Sequence, residues 1–288
     1  MNIAITGGSG FLGHEVVSAV INSQDTPILL GRNQVNANCE SRVTDYSTTS
    51  LIQALNGVDA VIHLAAKRGA NGKLSDFDEN ILITYNLYNA CVELGIKNVI
   101  FASSISVYSD VNLIPWTESQ IATPNNLYGI SKITCENIGS LFSNEFGLKI
   151  KNLRIGHIFG ANEKNGYMIN TFINNAFNKN QLFVKGKSIA KREFVYVKDV
   201  ARAMLIALNK EDVHDTFNVG GGTAYTNYEI AEMVNAVFNN EGNLAYEPNC
   251  DEGISSSLMD ATYANTVLGY SPKWSFFEAL EDIKSIKS

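Results

Sequence analysis

Tyr128 and Lys132 are the residues of this sequence whose types and spacing best suit acid–base chemistry. On a predicted helix over 127–146, a separation of four places both side chains on one face, one turn apart. An ammonium group beside a phenol favours tyrosinate, so the spacing predicts a Tyr128 pKa lowered towards working pH. Such a tyrosine exchanges a proton with a carbinol oxygen while a nicotinamide handles the hydride. The alternative is an ordinary exposed pair on a helix.

Two hydroxyls precede this pair, Ser103 and Ser104, just after an apolar run at 98–102 that reads as a strand. Open α/β sheets hold ligands outside the carboxyl ends of their strands. A serine hydroxyl at that edge can hydrogen-bond the oxygen on which Tyr128 acts, so the position favours the catalytic interpretation of all three groups.

A glycine-rich turn, TGGSGFLG, follows the first apolar run and opens a helix predicted over 11–21. Gly7 allows a tight turn, Gly10 a close approach of the backbone to pyrophosphate, and Gly13 close packing of helix on strand. The helix adds free N–H groups and its positive dipole end. The turn therefore predicts a dinucleotide-binding site, and the alternative is a plain glycine turn.

The end of the second predicted strand, 27–30, should contact the adenine ribose. An acid there accepts bonds from the 2′-hydroxyl, whereas an arginine accommodates a 2′-phosphate. The sequence reads Leu30-Gly31-Arg32-Asn33, with Arg32 as its charge and no acid. It favours NADP as the cofactor, with NAD possible, and the alternative is that Arg32 is a solvated surface charge.

Apolar runs alternate with helical patterns over the first 155 residues, which indicates βαβ units and a parallel sheet covered on both faces. The predicted fold is α/β, a doubly wound Rossmann sheet with a smaller α/β substrate domain. We expect residues 1–155 plus 190–220 to form the dinucleotide domain, and 156–189 plus 221–288 the substrate domain. The predicted strands are 2–6, 27–30, 58–64, 98–102, 149–155 and 216–219, and the helices are 11–21, 49–55, 80–94, 127–146, 168–177, 199–208 and 227–238.

The 288 residues carry a formal net charge of −7, so we expect neither nucleic acid nor an anionic membrane as a partner. No apolar run reaches the roughly 18 residues that span a bilayer, and the N-terminus lacks a signal-peptide pattern. The four cysteines are scattered, without metal-ligand spacing. We therefore expect a cytoplasmic protein with free thiols and no metal site.

With these motifs, the chain resembles the extended short-chain dehydrogenases/reductases, the NAD-dependent epimerase/dehydratase family. The resemblance covers nearly the whole chain, from TGGSGFLG to SPKW at 271–274. It implies that Ser104, Tyr128 and Lys132 are catalytic, and that Ser104, His157 and Arg192 contact substrate, with Arg192 on its diphosphate. The residues that it implies for cofactor binding are Gly7, Gly10, Phe11, Leu12, Gly13, Arg32, Asp45, Leu64, Ala65, Ala66, Asn80, Tyr128 and Lys132.

Two departures from the family pattern bear on the reaction. Ile105 and Ser106 stand where the family's sugar dehydratases carry an Asp-Glu pair, which argues against dehydration. His157 replaces a substrate-contacting asparagine, so the sugar or nucleotide pocket is altered, unless His157 is a packing residue.

The resemblance thus predicts an oxidoreductase acting on a nucleotide-activated sugar. The main hypothesis is a keto-sugar nucleotide reductase that consumes NADPH, and the alternative is an epimerase with tightly bound NAD. A non-catalytic sensor on the same fold is a third hypothesis, against which the retained Tyr128 and Lys132 argue. The family also implies a homodimer through the helices predicted at 80–94 and 127–146, unless their apolar surface packs within the chain.

Overall fold

The computed structural model describes residues 1–35, 38–69, 72–164 and 166–288. Strands β1 to β12 span Asn2–Thr6, Thr26–Gly31, Glu40–Val43, Ala60–His63, Asn98–Ser104, Lys149–Ile155, His157–Phe159, Leu182–Lys185, Lys191–Tyr196, Asp215–Val219, Ala224–Thr226 and Leu244–Glu247. Helices α1 to α9 span Phe11–Asn22, Thr48–Ala54, Leu74–Leu94, Leu127–Phe146, Met168–Phe177, Val197–Leu208, Asn227–Val237, Thr262–Leu268 and Phe276–Lys287. None of the helices described is long and apolar enough to cross a bilayer.

Seven strands form one parallel sheet in the order β10-β6-β5-β4-β1-β2-β3. The strand order reverses between β1 and β4, which are neighbours although two strands separate them in the chain. Such a switch point opens a crevice at the carboxyl ends of the strands, where α/β proteins bind their ligands. The predicted doubly wound α/β fold is confirmed.

Helices cover both faces of this sheet. Along β1, Ile3 and Ile5 are fully buried in the core on the side of α1 and α6, while Ala4 faces the core under α2, α3 and α4. The strand has a period of two and both faces are buried, which is why the central strands read as unbroken apolar runs. The crevice therefore lies on a rigid support.

A smaller region carries a three-stranded sheet, β11-β9-β7, and a parallel pair, β12-β8. Phe159, Phe194 and Phe276 pack together in its core with α5, α7 and α9. The segment 190–220 is shared: β9 pairs in the small sheet, α6 packs on the Rossmann core, and β10 joins the large sheet. The division into two domains remains a prediction.

Candidate functional site

A cavity of about 790 Å³ opens at the carboxyl ends of β1, β4 and β5 and reaches the smaller region. It brings together fifteen of the sixteen residues predicted for the site. They are Gly7, Gly10, Phe11, Leu12, Gly13, Arg32, Leu64, Ala65, Ala66, Asn80, Ser104, Tyr128, Lys132, His157 and Arg192.

Asp45 is the sixteenth residue, and it does not line the cavity. Its exposed carboxylate accepts a hydrogen bond of 2.8 Å from the backbone N–H of Ser47, just before α2. Hydrogen bonding with the side chain and then the backbone N–H of Ser47 lowers the Asp45 pKa. In the structure the residue orders a turn, and its contact with an adenine remains a prediction.

The glycine turn leaves room for a ligand by removing side chains. Gly7 has a φ of 70°, and a Cβ there would lie 2.8 Å from the backbone nitrogen of Ala65. A Cβ on Gly13 would lie 2.4 Å from the carbonyl oxygen of Gly7. Gly10 caps α1 without a side-chain hydrogen bond, and the residues of the first turn line the cavity, so their backbone N–H groups suit an anion. These features fit a dinucleotide pyrophosphate.

A buried hydrogen-bond chain holds the segment opposite this turn. The Thr6 hydroxyl accepts from the N–H groups of Leu64 and Ala65, each at 3.1 Å, and so donates to His63 Nδ1 at 2.7 Å. His63 Nε2 then donates to Thr84, whose hydroxyl donates to the Asn80 carbonyl. Burial lowers the His63 pKa to about 3, which keeps the imidazole neutral. The chain fixes the backbone of residues 64–65 as a cavity wall.

Asn80 holds a further residue of that wall, Lys67. Its side-chain amide accepts from the Lys67 N–H at 2.8 Å and donates to the Lys67 carbonyl at 3.0 Å. Its amide is therefore used on the protein backbone, and Asn80 shapes the cavity through Lys67.

Arg32 is already paired in this structure. Its guanidinium donates to Glu79 of α3, and the other carboxylate oxygen of Glu79 lies 3.0 Å from Lys67 Nζ. All three residues line the cavity at its β2 end. The sequence offered no signal for the pairing, because 47 residues separate Arg32 from Glu79.

Tyr128 and Lys132 lie together at the cavity wall, but their electrostatics differ from the expectation. Burial raises the Tyr128 pKa to about 12, opposed by Arg68 and by a hydrogen bond with Ser104. Burial also lowers the Lys132 pKa to about 8, and its ammonium donates to the Ala102 carbonyl at 2.7 Å. The predicted lowering of the Tyr128 pKa by Lys132 was wrong for the protein alone, because burial outweighs the nearby charges.

The two serines after β5 have different partners. Ser104 Oγ accepts from the Ser106 N–H at 3.1 Å, at the start of a 3₁₀ turn over Ile105–Val107, and it faces Tyr128. Ser103 turns the other way and donates to the buried carboxylate of Glu136 on α4. The structure therefore selects Ser104, of the two hydroxyls, as the one beside Tyr128.

His157 and Arg192 form the opposite wall. Arg192 donates to Asn227 Oδ1 at 3.0 Å, while its buried Nε has no hydrogen-bond partner among the residues described. Burial lowers its pKa, and its guanidinium lies 5.5 Å from the Phe194 ring. Burial, together with Arg192, lowers the His157 pKa to about 4, so the imidazole is neutral. This wall can offer a cation, a free donor and an imidazole to a polar ligand.

Sequence reasoning missed a second pair at the cavity. Arg68 lines it and lies 3.4 Å from Glu163, which belongs to the segment after β7. The ion pair links a residue of the cavity lining, Arg68, to the segment after β7. Both residues stand in irregular segments without periodic pattern, so their proximity comes from the tertiary fold.

The sequence model of the "NAD dependent epimerase/dehydratase family" matches residues 3–220, and the chain belongs to this family. Among solved structures, UDP-N-acetylglucosamine 4-epimerase from Bacillus cereus is 47% identical, with 99% of each chain covered and a TM-score of 0.95. UDP-glucose 4-epimerase from Thermotoga maritima, solved with UDP-glucose, is 26% identical over 99% of this chain and 98% of its own (TM-score 0.89). MoeE5, solved with UDP-glucose and NAD, is 25% identical over 100% and 98% (TM-score 0.87).

Proposed function

We propose that this protein is a UDP-sugar 4-epimerase that works with a bound nicotinamide dinucleotide, and that a UDP-N-acetylhexosamine is its substrate. The observation that carries the proposal is the 47% identity to UDP-N-acetylglucosamine 4-epimerase over 99% of both chains. The cavity supports it, because the glycine turn, Ser104, Tyr128, Lys132 and Arg192 line one space. This proposal replaces the reductase, our main hypothesis from the sequence, with the epimerase alternative.

The acid–base work falls to Tyr128. Its hydroxyl lies beside Ser104, and both groups are available to one sugar oxygen. Tyr128 takes the proton of the sugar hydroxyl during oxidation and returns it after the keto sugar has turned its other face. A bound nicotinamide would supply the matching chemistry, as the acceptor and then the donor of the hydride. Ser104 hydrogen-bonds the same oxygen in both directions.

Lys132 acts on Tyr128 through its positive charge, from a buried position. Its ammonium is anchored by the Ala102 carbonyl and lies 5.7 Å from the centre of the Tyr128 ring. A cation at this distance favours tyrosinate, and further positive charge in the cavity acts in the same direction. Arg68 already opposes, in this way, the rise in the Tyr128 pKa that burial causes. We therefore expect the tyrosine to become a competent base when the cavity is filled.

Arg192 supports the UDP part of the proposal. The guanidinium is planar, and its buried Nε has no hydrogen-bond partner among the described residues. It is therefore suited to bind a diphosphate oxygen. The neutral His157 beside it offers one donor and one acceptor to a base or sugar hydroxyl.

Product analysis together with cofactor balance tests the proposal. The purified chain is incubated with UDP-N-acetylglucosamine or UDP-glucose and substoichiometric NAD, and the products are separated by chromatography. We expect the 4-epimer to accumulate over many turnovers without net change in absorbance at 340 nm. Stoichiometric NADPH consumption with a keto-sugar nucleotide would instead identify a reductase. If none of these substrates reacts, the proposed function is wrong.

A further inference from the structure

The β2 end of the cavity lacks the acid that usually contacts an adenine ribose, but the structure brings a carboxylate there from another element. Glu79 belongs to α3 and lines the cavity beside Arg32, the first residue after β2. One of its oxygens accepts from Arg32, and the other lies 3.0 Å from Lys67 Nζ. The carboxylate thus lies between the two cations of this part of the wall.

The position of Glu79 is fixed by its surroundings. The next residue, Asn80, binds the backbone of Lys67 through both polar atoms of its amide, and these bonds tie α3 to the segment after β4. Lys67 also lies 3.7 Å from Asp76, one turn earlier on α3. The Arg32 guanidinium is further held 5.7 Å from the centre of the Tyr46 ring.

The charges in this cluster cancel. Arg32 and Lys67 contribute two positive charges, and Glu79 and Asp76 two negative ones. A 2′-phosphate placed against Arg32 would add nearly two negative charges beside an ionised carboxylate. Against Arg32 it would share the guanidinium with the Glu79 carboxylate, so repulsion between the two anions would oppose its binding. A 2′-hydroxyl meets no such obstacle, because it donates a hydrogen bond to a carboxylate.

We infer that Glu79 determines cofactor specificity: its carboxylate replaces the missing acid of β2, occupies Arg32 and makes the site select NAD over NADP. This inference reverses the NADP preference that Arg32 alone predicts. It rests on the proposed function in so far as that function requires a nicotinamide dinucleotide.

Calorimetric titration of the full chain, stripped of bound dinucleotide, tests the inference without relying on activity. The ligands are NAD, NADP, and the fragments 5′-AMP and adenosine 2′,5′-bisphosphate, which differ by the 2′-phosphate. For the wild type we expect NAD to bind at least about 10-fold more tightly than NADP. Glu79→Gln should shift this ratio towards NADP by about 10-fold or more, because it removes the negative charge beside Arg32 and Lys67. The fragments should follow the same order.

Asp76→Asn is the matched control, since it removes the same charge from the same helix while Arg32 keeps its partner. We expect it to change the NAD to NADP ratio by less than about 3-fold. Glu79→Ala must shift the ratio in the same direction as Glu79→Gln. The titration of the wild type tests the preference for NAD even if a variant does not fold.

Three results separate this inference from the proposed function. A wild type that prefers NADP, or a Glu79→Gln ratio equal to that of the wild type, overturns the role of Glu79 and leaves the epimerase intact. A wild type that binds neither dinucleotide nor either fragment overturns the proposed function itself.

Discussion

Glu136 of α4 and Arg154 of β6 form a buried ion pair, with Arg154 Nη2 2.7 Å from Glu136 Oε2. Arg154 Nε lies within 3.2 Å of both carboxylate oxygens, which makes the pair multidentate. The carboxylate also accepts from Ser103, and Arg154 donates to the Tyr108 hydroxyl at 2.7 Å. Glu136 is one turn from Lys132 on α4. The ion pair therefore attaches the face of α4 that carries Lys132 to the sheet.

Glu136→Gln should lower the free energy of unfolding by about 3–5 kcal/mol, because Arg154 is left as a buried, unpaired charge. The double variant Glu136→Gln/Arg154→Met should recover at least about 1 kcal/mol of that loss, since both charges are then gone. Urea denaturation measures all of these values. The pair of exposed Glu40 and half-buried Arg42 provides the control, and Glu40→Gln should cost less than about 1 kcal/mol. Additive single changes would contradict a coupled pair.

Tyr128→Phe should lower turnover of the UDP-sugar by about 10²- to 10⁴-fold, because the ring remains and the proton carrier is lost. Ser104→Ala should act in the same way but more mildly. Dinucleotide affinity, measured by titration, should be nearly unchanged in both variants. Tyr246→Phe is the control, because that hydroxyl bonds the Lys187 carbonyl outside the cavity. Near wild-type turnover in Tyr128→Phe would reject the catalytic assignment.

Arg192→Ala should raise the Michaelis constant for a UDP-sugar much more than it lowers turnover, because the guanidinium would bind the diphosphate in both ground and transition states. Steady-state kinetics measure the two parameters. The exposed neighbour Lys191 does not line the cavity, and Lys191→Ala should leave both unchanged. An unaltered Michaelis constant in Arg192→Ala would remove the diphosphate site.

Lys132→Met should abolish activity while raising the stability of the ligand-free protein near neutral pH. Burial lowers the Lys132 pKa from 10.5 to about 8, so below pH 8 the fold holds an ammonium group that it disfavours. Between about pH 8 and pH 10.5 the lysine is neutral in the folded state and still charged in the unfolded state. The wild type therefore gains stability as pH rises through this range, and the stability gap between variant and wild type should close. Chemical denaturation at several pH values measures the gap. A gap that widens with pH would show that the sign is wrong.

The homodimer inferred from the family resemblance remains a prediction, and α3 and α4 offer a surface for it. Leu82, Tyr85, Ile130, Leu141 and Phe146 are exposed apolar residues of these two helices. We expect a dimer mass by light scattering at micromolar concentration and a monomer for Leu82→Glu/Leu141→Glu, because charges oppose burial of this face. Phe183→Glu, on β8, should remain dimeric. A monomeric wild type would refute the interface.

Much of the fold could be predicted from the sequence, because periodic apolar segments carry their own signal. The helices α4 and α5 and the strand β6 begin and end at the predicted residues. The strand β3 was missed, since two of its four residues, ESRV, are charged and none of the four is buried at this edge of the sheet. The helix α9 was also missed, although Ser275 and Glu278 form a capping box that announces its start.

The electrostatics of the site could not be predicted in this way. The spacing of Tyr128 and Lys132 gives their proximity, but the loss of solvent around the phenol depends on every element that packs over it. In the same way, Arg32 was assigned a phosphate because its sequence neighbours contain no acid, and Glu79 reaches it from a helix 47 residues away. Local patterns identify the groups, and the tertiary fold determines their charges and partners.

The sheet order also determines when the chain can complete its fold during synthesis. The strand β10 borders β6, but β6 ends at Ile155 and β10 begins only at Asp215. Until the ribosome has delivered residues 215–219, β6 presents an unpaired edge, which is a template for pairing with other chains. We therefore expect nascent chains that stall between these strands to depend on chaperones, and fragments ending near Ile155 to aggregate.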